Sequence, residues 1–183
     1  MRAETRLQDY DNGWYKPAGK LKILSWFLMN TLFINNYLPI PVIIKVKVLR
    51  LFGATIGTNV MIKPKVNIKY PWFLTVGSHV WIGECVWIDN YTEVILEDNV
   101  CLSQGAMLLT GNHNYKKPTF DLMIGKIHLK KGVWIGAKAT VCPNVVGESH
   151  AVLTVASVAT KSLEAYGVYQ GNPAIRVNNR ALS

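Results

Sequence analysis

The chain has 183 residues, enough for one domain with a real core. Half of it is hydrophobic and 17% is charged, a balance that excludes a disordered chain. Twenty Lys and Arg against 11 Asp and Glu leave a formal charge of +9, which favours an anionic partner without choosing among nucleic acid, a membrane surface and a phosphorylated small molecule.

The first dozen residues lack the apolar stretch of a signal peptide. Residues 21–52 are more apolar, but Asn30, Asn35, Asn36, Pro39 and Pro41 interrupt them, followed by Lys45, Lys47 and Arg50. No run approaches the roughly 20 apolar residues that span a bilayer. The pattern predicts an N-terminal helical cap within residues 1–54. Lys and Arg set beside Trp26, Phe27 and Phe33 also suit a helix lying on a membrane surface.

From Ile56 onward aliphatic residues recur every six positions, as Ile56, Ile62, Ile68 and Leu74. After a shift of two the series resumes at Val76, Ile82, Ile88 and Val94, and after another at Leu96, Leu102 and Leu108. It returns as Leu129, Ile135 and Val141, with Gly147 in the next place, then Leu153. A second small or apolar residue stands two positions ahead of many of these, as Val60, Val86, Ala106 and Ala139 do. An α-helix repeats every 3.6 residues and a plain strand every two, so neither accounts for this period. A unit of short strand plus turn does, and Gly or Asp after the aliphatic residue, as in Ile82-Gly83 and Ile88-Asp89, suits tight turns. The expectation is an all-β solenoid over residues 55–163, each coil resting on its neighbours. Residues 111–126 lack the period and are expected to project as a polar loop, where function tends to sit on a rigid scaffold. Residues 164–183 also lack it and are read as a tail with a short helix.

Cys85, Cys101 and Cys142 are far apart and form no C-x-x-C, which argues against disulfides or a cysteine zinc site. They are read as small buried residues, reduced as in a cytoplasmic protein. His79, His128 and His150 lie within repeat units as turn or surface residues, without metal-ligand spacing. His113 differs, because it stands at the mouth of the insertion, in T-G-N-H-N-Y. A nucleophile elbow, a P-loop, a dinucleotide fingerprint and a nucleic-acid module are all missing from the sequence.

Several segments carry a resemblance: Y-D-N-G-W-Y-K-P at 10–17, L-R-L-F-G-A at 49–54, I-K-Y-P-W at 68–72 and W-I-G-E-C-V-W-I-D-N at 81–90. N-V-C-L-S-Q-G-A at 99–106, T-G-N-H-N-Y at 110–115, V-W-I-G-A at 133–137 and G-N-P-A at 171–174 extend it over nearly the whole chain. The sequence resembles the hexapeptide-repeat acyltransferases, and among them the colanic acid biosynthesis acetyltransferases, which act on sugars of exopolysaccharides. The resemblance implies a left-handed parallel β-helix, a homotrimer with active sites between subunits and acetyl-CoA as donor; the histidine spacing and the missing motifs lead to the expectation of no metal and no nucleic acid. It places the catalytic base at His113, with Asn114 where many relatives carry Asp. It sets the pantetheine arm near Trp134, Gly136, Ala137 and Val155, and the nucleotide end near Thr160 and Lys161. Arg176 and Arg180 are further candidates for phosphate, and Asn90, Asp11 and Asn112 for the acceptor.

The chemistry fits that reading. An alcohol attacks poorly until its proton is removed, and a histidine with a reference pKa of about 6.5 can take it near neutral pH. The leading expectation is O-acetylation of a sugar hydroxyl in exopolysaccharide or lipopolysaccharide assembly, in the cytoplasm or at the inner face of the membrane. Alternatives are another acceptor, such as an antibiotic or an amino sugar, and a non-catalytic solenoid used in assembly. A carbonic anhydrase of this repeat type needs clustered histidines, which the spacing of these four does not provide.

Overall fold

The six-residue ladder becomes the inside of a three-sided prism. The computed structural model describes residues 4–182. Each coil contributes three short strands. They are β1 (Thr55–Ile56), β2 (Met61–Ile62) and β3 (Asn67–Ile68), then β4 (Leu74–Val76), β5 (Trp81–Ile82) and β6 (Trp87–Asp89), then β7 (Val94–Leu96), β8 (Cys101–Leu102) and β9 (Met107–Leu109). After an antiparallel hairpin of β10 (Gly111–His113) and β11 (Leu122–Ile124), the coils continue. They do so as β12 (Ile127–Leu129), β13 (Trp134–Ile135) and β14 (Thr140–Val141), then β15 (Val146–Gly147), β16 (Val152–Leu153) and β17 (Val158–Ala159).

Strands stack in parallel into three sheets, β1-β4-β7-β12-β15, β2-β5-β8-β13-β16 and β3-β6-β9-β14-β17, here named the first, second and third faces. The architecture is a left-handed parallel β-helix. The repeat sets the register. Ile56, Val76, Leu96, Leu129 and Gly147 align on the first face, and Ile62, Ile82, Leu102, Ile135 and Leu153 on the second. The aliphatic members of both rows point inward and are buried. Each such side chain removed from water stabilises the fold by about 1.5–3 kcal/mol before entropy is counted.

The turns correct part of the sequence argument. The left-handed residue is not the one after the aliphatic; it stands just ahead of the small buried one, as Asn59, Cys85, Asn99, Lys138 and Asn144 do at φ between 53° and 65°. Gly136 is required for another reason: a Cβ there would lie 2.7 Å from the backbone of Thr154 and Val155 in the next coil. Cys85 is correspondingly exposed rather than buried, while Cys101 and Cys142 are half-buried and all three are free thiols. Burial pushes the thiols of Cys101 and Cys142 above their ordinary pKa.

The helical cap consists of α1 (Lys20–Met29), extended by a π-helical turn over Asn30–Ile34, and α2 (Val42–Leu51). Trp26 anchors α1 to the outside of the third face, its indole N–H donating to the Ile68 carbonyl at 2.9 Å. On α2, Lys45 is buried and donates to the carbonyls of Ile62 and Lys63, and burial lowers its pKa. The far end departs from expectation. Instead of a short helix, the tail forms β18 (Gly167–Gly171) and β19 (Ala174–Asn179), an antiparallel pair joined to β16 on the second face. Val168 and Tyr169 continue the outward and inward rows of that face, so the strand template outweighs the tail's weak helical signal.

Candidate active site

The hairpin grows from the corner between the third and first faces, where β9 ends and β12 begins. Thr110, fully buried, roots it: its hydroxyl accepts from the Tyr91 amide at 2.7 Å and donates to the Asp89 carbonyl at 3.1 Å. The Thr110 carbonyl receives the Gly125 amide at 2.8 Å and closes the base of the hairpin. Gly111 has to be glycine, because a Cβ there would lie 2.7 Å from the Tyr91 ring.

His113 is the last residue of β10, paired with Leu122 and partly buried. Its Nδ1 lies 2.9 Å from the Phe120 carbonyl oxygen, and its ring stacks on the Phe120 ring at 4.5 Å and 7°. A carbonyl can only accept, so Nδ1 carries the proton, and in the neutral ring Nε2 is then the nitrogen with the lone pair. Tyr10 comes within 5.6 Å on another side, on a segment tied to the hairpin by Arg6 N–H to the Pro118 carbonyl at 2.8 Å. Asn114 does not orient the base; its side chain accepts the Lys116 amide at 3.1 Å.

The group that orients His113 is thus a backbone carbonyl, which no residue type announces in a sequence. Phe120 sits at φ 53°, a left-handed conformation unusual for a bulky side chain, and this aims its carbonyl. Next to it, Asp121 accepts Lys117 Nζ at 2.8 Å and Thr119 Oγ1 at 2.5 Å. The Lys117 contact first, and then that of Thr119, hold the Asp121 carboxyl below its ordinary pKa.

Asn112 and Asp11 are both exposed; Asn112 caps the His113 amide at 2.8 Å, and Asp11, next to Tyr10 in the chain, takes the Gly13 amide at 2.7 Å. Asn90 does not join them. It is fully buried, and its amide bonds both the N–H and the carbonyl of Tyr70, at 3.0 and 2.7 Å. That corrects its reading as an acceptor contact, because its polar atoms already hold two coils in register.

The expected donor residues separate by corner. Gly136, Ala137 and Val155 lie where the second face turns into the third, and Trp134 stands just before them, facing outward from β13. The Trp134 indole donates to Ser103 Oγ at 2.9 Å and borders a groove of about 750 Å3 that also has Trp81 and Gln104 in its wall. Exposed Thr160 and Lys161 follow β17 and lie on the hairpin's corner, two coils above it. The two arginines are otherwise engaged. Arg176 pairs with Glu164 and Asn179, and Arg180 donates to the carbonyls of Gly132 and His150 at 2.9 and 3.4 Å. In this chain both arginines serve as ties of the C-terminal pair. Among the described residues no cluster of His, Cys, Asp or Glu could hold a metal ion.

Comparison with known proteins places this geometry. No family model matches the chain. Over 132 residues it is 36% identical to a protein named as a colanic acid biosynthesis acetyltransferase, WcaF of Escherichia coli strain K12, covering 72% of each chain. The solved galactoside acetyltransferase in complex with coenzyme A superimposes at a TM-score of 0.78 with 21% identity, over 87% of this chain and 80% of that one. A hexapeptide-repeat acetyltransferase of Vibrio cholerae O1 biovar eltor complexed with acetyl-coenzyme A gives 0.72 with 16% identity, over 78% and 80%.

Proposed function

Because this chain belongs to the hexapeptide-repeat acetyltransferases, we propose that it moves an acetyl group from acetyl-CoA to a sugar hydroxyl in exopolysaccharide or lipopolysaccharide assembly. The observation that carries the reading is the His113 imidazole, held at Nδ1 by the Phe120 carbonyl with Nε2 left as a base. Nε2 takes the hydroxyl proton while the sugar oxygen bonds to the thioester carbonyl carbon. The carbon–sulfur bond then breaks, and the imidazolium returns the proton to the departing thiolate.

The acceptor approaches from the Asn112 and Asp11 side of the hairpin. The pantetheine arm runs past Trp134, Gly136, Ala137 and Val155, and Lys161, with Thr160, meets phosphate as a point charge. Supporting a trimer is the separation just described: one prism holds His113 and the Trp134 groove at different corners, with the whole third face between them. Two copies side by side bring one subunit's hairpin to the other's groove, so the active site forms between subunits.

The test is acetyl transfer from labelled acetyl-CoA to a panel of sugars, with His113→Ala beside the native chain. The variant is expected to turn over on the order of a hundredfold more slowly, or worse, with an unchanged circular dichroism spectrum. Near-native turnover would remove His113 from the reaction.

The acceptor is at the inner face of the membrane, and the distribution of charge supports this. Residues 12–83 hold nine of the 20 Lys and Arg and none of the 11 Asp and Glu, so this segment carries the entire net charge. Within it, Leu21, Leu24 and Leu28 form an exposed stripe along α1, with Phe27 at its edge and Lys20 and Lys22 at its start. Exposed apolar side chains beside unopposed cations suit an anionic lipid surface. Among the described residues no helix is long and apolar enough to cross a membrane.

A further inference from the structure

In the second coil the carbonyls of Val76, Ile82 and Ile88 accept amides from the coil below. Gly57, Lys63 and Lys69 donate them at 2.8, 3.0 and 3.0 Å. The matching carbonyls of the first coil belong to Ile56, Ile62 and Ile68, and no coil lies beneath them. The helical cap supplies a donor to each. Arg50 Nη2 reaches Ile56 at 2.5 Å on the first face, Lys45 Nζ reaches Ile62 at 3.3 Å on the second, and the Trp26 indole reaches Ile68 at 2.9 Å on the third. A cap that only kept water from the end of the core would need apolar side chains, not a buried ammonium. These three side chains take the place of a missing coil's amides.

The opposite end is closed on two faces. On the first, the Leu163 amide donates to Val146 and its carbonyl accepts Glu148, at 2.8 and 2.9 Å. On the second, β18 docks on β16. The third face ends at β17. There Val158 and Thr160 stand one coil beyond Thr140 and Cys142, whose amides donate to Ser157 and Ala159 at 2.8 and 2.9 Å. The amides of Val158 and Thr160 meet no acceptor among the described residues. The third face therefore starts at a carbonyl held by Trp26 and finishes in free amides. Asn67 and Ile68 of β3 alternate outward and inward as Val158 and Ala159 of β17 do, so β3 of another copy fits there as the next rung.

We propose that the cap is a stopper on a self-association edge. While Trp26, Lys45 and Arg50 hold it down, β3 is closed; when it lifts, β3 pairs in parallel with β17 of a second copy. That contact is head-to-tail and does not close on itself, so it grows as a filament.

This is independent of acetyl transfer and is measured without it. The full chain carrying Trp26→Phe, Lys45→Met and Arg50→Met keeps apolar bulk in the cap and loses all three donors. Amide exchange over α1 and α2 should quicken at least about tenfold. Sedimentation velocity should show species larger than the native assembly that grow with concentration. Adding Val158→Pro removes an amide that the native chain leaves unbonded. It should restore the native size while exchange stays fast. If Val158→Pro alone unfolds the native chain, Thr160→Pro replaces it. If the triple variant loses its circular dichroism spectrum, Trp26→Phe alone, which frees only Ile68, is read in the same way. Three outcomes overturn the proposal: unchanged exchange in the cap, fast exchange without larger species, or larger species that persist with the proline, which mark unspecific aggregation.

Discussion

The imidazole of His113 lies flat on the phenyl ring of Phe120, and the same residue's carbonyl holds the imidazole Nδ1. One residue therefore fixes both the plane of the ring and its tautomer. Phe120→Ala keeps the carbonyl but removes the surface that steadies the ring. Its kcat should fall by roughly tenfold to a hundredfold with the KM for acetyl-CoA little changed, because misorientation acts on the reaction and not on donor binding. Phe120→Tyr should restore most of the rate. An unchanged kcat in Phe120→Ala would show that stacking does not position the base.

Asp121 gives the hairpin a pH dependence. Its carboxyl is held below the ordinary value by Lys117 and Thr119. A carboxyl depressed in the folded state stabilises that state above its unfolded pKa, about 3.9, and loses the contribution as pH falls through the folded value. Amide protection over residues 111–124, corrected for the intrinsic pH dependence of exchange, should therefore be constant above the unfolded carboxyl's pKa and decline progressively as pH falls from there through the folded value. Asp121→Asn should exchange faster near neutrality and lose that acid-dependent step.

Gly136 tests the coil packing. The Cβ of Gly136→Ala would press on the backbone of Thr154 and Val155, which cannot rotate away as a side chain could. The cost should be about 1–3 kcal/mol. For a chain of this size each kcal/mol lowers the melting temperature by roughly 2–4 °C. A melting temperature equal to that of the native chain would mean the coils separate freely there.

The stripe on α1 predicts membrane partition. Full-length chain should float with vesicles containing phosphatidylglycerol, less so in roughly 0.5 M salt, and weakly with phosphatidylcholine alone. Leu24→Glu combined with Leu28→Glu should cut the bound fraction at least about tenfold without unfolding the chain. If the double variant instead loses its oligomeric state, and the native chain ignores the anionic vesicles, the stripe packs against a second copy.

The prism was legible because a solenoid repeats its physics: Ile62, Ile82, Leu102 and Ile135 meet the same inward environment at a fixed interval, so position alone announces burial. The hairpin was visible only as a gap in that rhythm, and His113 as the histidine at its edge. What orients His113 was hidden, since a backbone carbonyl has no letter of its own. Asn90 misled for a related reason. Its amide is equally apt for a ligand or for the chain's own backbone, and only coordinates show which it holds. The tail misled because a five-residue segment that docks on β16 through Val168 and Tyr169 becomes a strand through the neighbour it meets, whatever its own preference.

That tail also decides how the stack ends. An open strand edge is a template on which another chain can add itself and start an aggregate. Here the second face is closed by β19 running antiparallel to β18, with a register irregularity in β18 at Val168 and Tyr169. A newcomer copying the parallel stacking of the coils finds a reversed border on this face, which blocks the repeat from continuing there between molecules.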